Sequence, residues 1–115
     1  MATTVRGMVA EAQAEMREAE LQPERARALL AMLSALIGNC NAELREAEAE
    51  YSTVLLRCLD SNEAANRARI RAECSPEYQR KREARDTKEL VVELVRSLKY
   101  ILRSSEEEMR LAGRG

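Results

Sequence analysis

The sequence predicts an all-α protein: a long, antiparallel, coiled-coil-like helical hairpin preceded by a short helix. Three observations carry this. Only 3% of the 115 residues are aromatic, with no Phe or Trp, while 45% are apolar. A core of Leu, Val, Ile, Met and Ala packs helix on helix well and fills a sheet poorly. From Leu33, the positions Ile37, Cys40, Leu44, Ala47, Tyr51, Val54 and Cys58 follow in alternating steps of four and three. That is a heptad seam, along which an under-wound helix keeps meeting a partner helix. Finally, Glu73-Cys74-Ser75-Pro76-Glu77 ends one helix and begins another: the residue before Pro leaves the α region, Ser caps, and Pro and Glu suit a first turn.

Taken in order, a first helix spans about 3–20, with Val5, Met8, Val9, Ala12, Met16 and Ala19 at helical spacing and Thr3 or Thr4 as cap. Pro23 opens a second helix, and Glu24 beside it favours the positive helix end. Helical periodicity then runs to Ala72, giving a helix over about 24–72. Ala26 and Leu30 continue its seam upstream, and Leu29 and Leu36 widen it. Two places invite a break: Gly38-Asn39, and Asp60 to Glu63 with capping-box spacing. The heptad phase passes Gly38 without a slip and continues past Cys58, weakened, as Ser61, Ala65, Ala68 and Ala72, so one continuous helix is expected at both. The last helix spans about 76–111, with a seam of Val91, Val95, Leu98, Leu102, Ser105 and Met109, broadened by Leu90, Leu94 and Ile101. With the turn at Cys74–Pro76, Leu98–Met109 should lie against Leu44–Tyr51 or just beyond it. By length, residues 1–115 make a single helical domain.

Composition excludes much chemistry. The chain has no His, which removes imidazole-based catalysis and the His-containing metal sites. Cys40 and Cys58 lie roughly 27 Å apart along one helix at about 1.5 Å per residue and cannot pair there. They read as reduced apolar residues, consistent with a cytoplasmic location. Cys74 has no activating neighbour in sequence. No apolar run is long enough to span a membrane, and Met-Ala-Thr-Thr does not resemble a signal peptide. The Glu43–Glu50 and Glu106–Glu108 groups read as solvated helix faces without calcium-loop geometry. No enzyme, cofactor site or metal site can be assembled from these residues.

Two surfaces remain as candidate contacts. Residues 66–88 hold eight basic and four acidic side chains, a local positive pole in a chain of net charge −1. Arg67, Arg71, Arg80, Lys81, Arg82 and Arg85 are the candidates for touching phosphate backbone or an acidic partner. The alternative is a solvated turn, held by pairs such as Glu77–Lys81 and Arg82–Asp86. The second surface is the apolar band Leu29, Leu30, Leu33, Leu36 and Ile37. Its width suggests burial on two sides, against the last helix and either the first helix or a second protomer, and predicts self-association, a dimer being the expected state.

The run Glu73-Cys74-Ser75-Pro76-Glu77-Tyr78, then Arg80-Lys81-Arg82-Glu83-Ala84, Leu98-Lys99-Tyr100 and Glu106-Glu107-Glu108-Met109-Arg110 resembles small coiled-coil proteins encoded in phage and prophage gene clusters, some near DNA recombination genes. The resemblance covers the last third of the chain and implies an accessory protein, with no functional residues attached. The expected function is therefore non-enzymatic, through self-association or a protein partner. The alternative is a nucleic-acid accessory role for the basic tip.

Overall fold

The computed structural model describes residues 4–18 and 20–114. It contains four helices, α1 (Val5–Glu18), α2 (Pro23–Leu59), α3 (Ala65–Glu73) and α4 (Pro76–Arg114), and no strand among the described residues. The all-α class is as expected. Internal contacts divide the chain into two units, Met1–Gly38 with Glu89–Gly115, and Asn39–Lys88.

In the first unit, Thr4 caps α1: its Oγ1 accepts the Gly7 N–H at 3.0 Å, satisfying one of the orphan donors of the first turn. Thr3 and Ala19 lie outside the described residues. Val9 and Ala12 of α1 are buried, together with Ala26, Leu29, Leu33 and Leu36 of α2 and Val91, Leu94, Val95 and Leu98 of α4. A two-pronged ion pair joins the first two helices, Arg25 giving Nε to Glu15 Oε2 at 2.6 Å and Nη2 to Oε1 at 2.7 Å. Arg25 holds the Glu15 carboxyl below its usual range, chiefly through that hydrogen bond.

Burial here corrects one expectation. Leu29, Leu33 and Leu36 are only 2%, 0% and 8% exposed, whereas Leu30 and Ile37 are half-buried. The widened face of α2 serves α1 and α4 of its own unit, so three of the five residues offered to a second chain have little free surface. The buried stripe accordingly runs Leu29, Leu33, Leu36, Cys40, one position off the predicted seam at two of its members. α2 does run unbroken through Gly38, where a Cβ would meet nothing within 4 Å.

In the second unit the predicted helix over 24–72 is interrupted. α2 stops at Leu59 and α3 starts at Ala65. The agent is Ser61, not the Asp60–Glu63 capping box. Its hydroxyl donates to the Cys58 carbonyl at 2.6 Å and accepts the Glu63 N–H at 3.4 Å, a local alternative to helical bonding. Ala64 then precedes α3 in an extended conformation, without a side-chain cap. The next boundary is as expected: Ser75 Oγ accepts the Tyr78 N–H at 3.2 Å and donates to the Ala72 carbonyl at 2.6 Å.

The break resets the helix pairing. Tyr51 meets Tyr78, with ring centroids 5.1 Å apart, and Arg80 bonds Glu50 and Glu46. As numbers fall along α2 they rise along α4, so the two segments are antiparallel. Tyr51 therefore faces the start of α4, not Leu98 as a turn at Cys74–Pro76 alone would require. α3 lies within the reversal, burying Ala68 and Ala72, whose small side chains allow close backbone approach. Among the described residues, no helix is long and apolar enough to cross a membrane.

Candidate functional site: the basic segment and the end of α4

The basic segment sits in the second unit, and the structure supplies its carboxylates. Arg71 is ion-paired with Glu63, and Arg80 with Glu50 and, at 3.5 Å, with Glu46. The Glu50 hydrogen bond, followed by its charge, raises the Arg80 guanidinium above its usual value. The Lys81 ammonium lies 4.7 Å above the centre of the Tyr51 ring, and the Arg82 guanidinium 6.0 Å from that of Tyr78. Both are cation–π distances. Burial, then the charge of Glu73, pushes the Tyr51 hydroxyl up. Arg67 and Arg85 are exposed.

Of the six candidate basic residues, four thus already have a partner inside the unit. The Glu77–Lys81 and Arg82–Asp86 pairs expected from spacing are not the ones made, because Tyr51 and Tyr78 present aromatic faces to Lys81 and Arg82. The unit as a whole, Asn39–Lys88, has ten acidic and ten basic residues. The positive pole read from 66–88 is offset by carboxylates on α2 and at Glu63. No local spacing reveals Arg80 with Glu50, which are thirty positions apart.

At the end of α4, in the first unit, Met109 belongs to the seam expected from sequence but is 68% exposed, and Tyr100 and Leu111, outside that seam, are 70% and 58% exposed. Leu21 and Pro23, at the entry to α2, stand beside Tyr100, Ile101, Ser104 and Glu108. Met109 and Leu111 belong to the turns of α4 that follow. Arg103, Glu106, Glu107 and Arg110 make a polar face of mixed sign by their spacing, with Arg110 on Glu107 at 2.6 Å.

All three cysteines are free. Cys40 is buried, Cys58 intermediate and Cys74 exposed. Burial, then the charge of Glu43, pushes the Cys40 thiol up, which disfavours the nucleophilic thiolate. Comparison of the chain with protein-family models, curated proteins and solved structures finds no match.

Proposed function

We propose that the protein is a non-enzymatic helical module of the cytoplasm that acts by associating with a second copy of itself, using the end of α4. The observation that carries this is the exposure of Met109, which by helical spacing prolongs the face of Leu98, and of Tyr100 and Leu111, which share the opposite face of α4. Large apolar side chains left in water around one helix end mark a contact site. A second copy is the favoured occupant on electrostatic grounds. The stretch carries both signs, and the chain has a net charge of only −1, so two copies repel each other little. Pairing the same segment about a two-fold axis buries it on both sides at once. The resemblance of the last third to phage-encoded coiled-coil proteins supports an accessory role.

Light scattering on a sizing column tests the reading. The intact protein should elute as a dimer at micromolar concentration, and Met109→Glu with Leu111→Glu should return it to a 13.0 kDa monomer with unchanged helicity. A monomeric parent, or a dimer indifferent to both substitutions, overturns it.

A further inference from the structure

A cleft of about 480 Å³ opens in the first unit, where the segment ahead of α2 meets the side of α4. Met16, Leu21, Pro23 and Ile101 line it, with Tyr100 beside them. Ser104, Ser105, Glu20 and Glu108 complete the polar part of the lining. Two lining residues are acidic and none is basic. Neither carboxylate forms an ion pair among the described residues. The volume is that of a site for a small organic molecule.

These groups select one chemistry. Met16, Leu21, Pro23 and Ile101 accept a chain of methylenes. An ammonium at its end gains the two carboxylates as charged hydrogen-bond acceptors and the face of Tyr100 as a cation–π partner. An alcohol of the same length keeps only the apolar part. A carboxylate of the same length meets like charge. We propose that this cleft binds a primary aliphatic amine, with the chain on the apolar walls and the ammonium between Glu20 and Glu108. The cleft shares Tyr100 with the proposed contact surface, whereas Met109 and Leu111 do not line it.

The test is a titration of the full-length protein with hexylamine, hexanol and hexanoate at one pH and ionic strength, followed by calorimetry and by amide NMR shifts. Hexylamine should shift the Ile101, Ser104 and Ser105 amides and bind about two- to fivefold tighter than hexanol, as expected for an exposed ion pair. Glu20→Gln with Glu108→Gln should reduce hexylamine to the hexanol level. Both side chains are exposed, so helicity should hold, and circular dichroism checks it. The variant carrying both Met109→Glu and Leu111→Glu should bind hexylamine as the parent does, which separates this result from any failure to dimerise. Equal binding of hexanol, binding of hexanoate, indifference to the two Gln substitutions, or no shift in the cleft at millimolar amine overturns the proposal.

Discussion

Leu33 and Leu56 lie on the same helix and differ in their surroundings. Leu33 has no exposed surface, whereas Leu56 is mostly in water. Truncating a fully buried leucine loses its transfer energy and leaves a cavity, so Leu33→Ala should cost about 2–5 kcal/mol. Leu56→Ala should cost under about 0.5 kcal/mol. Urea melts of the two variants decide this, and equal midpoints would mean that the buried stripe of α2 is misplaced. The seam read from sequence located Leu33, Cys40, Ala47 and Tyr51 correctly. It preferred Ile37 to Leu36 because a heptad count assumes a single partner. An α2 face serving two neighbours in its unit buries Leu29 and Leu36 as well.

Helix boundaries were legible wherever steric chemistry dictates them. Pro23 opens α2 and Ser75-Pro76 opens α4, as the missing proline N–H and the serine hydroxyl require. Ser75→Ala removes the acceptor for the Tyr78 N–H and should cost about 1 kcal/mol. A thermal melt displaced by less than Thr53→Ala displaces it would contradict that, since Thr53 only bonds back to Ala49 within its own helix. The break after Leu59 was hidden because Ser61, Ala65, Ala68 and Ala72 keep the phase of the seam across it. Buried alanines fit a separate short helix as well as a continuation. Missing it misplaced the pairing, so Tyr51 was assigned to Leu98 when it faces Tyr78. Met109, at the exposed end of α4, was read as seam for the same reason.

Across the whole chain, charge was legible as a count and illegible as a field. Arg67, Arg71, Arg80, Lys81, Arg82 and Arg85 are a basic run by sequence. Folding brings Glu46, Glu50 and Glu63 to two of them, and tyrosine faces to two more. Nucleic-acid affinity driven by counterion release needs cations available to phosphate. Binding to DNA or RNA should therefore be weak at about 50 mM salt and gone at physiological salt. Binding that persists there, and that Arg67→Glu with Arg85→Glu abolishes, would favour the nucleic-acid role over self-association.

The Tyr51–Tyr78 contact also provides a built-in optical probe. The chain has three tyrosines and no tryptophan, so its near-ultraviolet circular dichroism comes almost wholly from phenol rings. Two of them are held 5.1 Å apart at 50° within Asn39–Lys88, a geometry that couples their transitions. Tyr100 lies in the other unit, mostly in water, and has no ring packed against it among the described residues, so its contribution is the smaller one. The near-ultraviolet band thus follows the melting of one unit, while the far-ultraviolet band follows every helix. Where the two curves part, the units lose structure separately; where they coincide, the chain unfolds as one cooperative body.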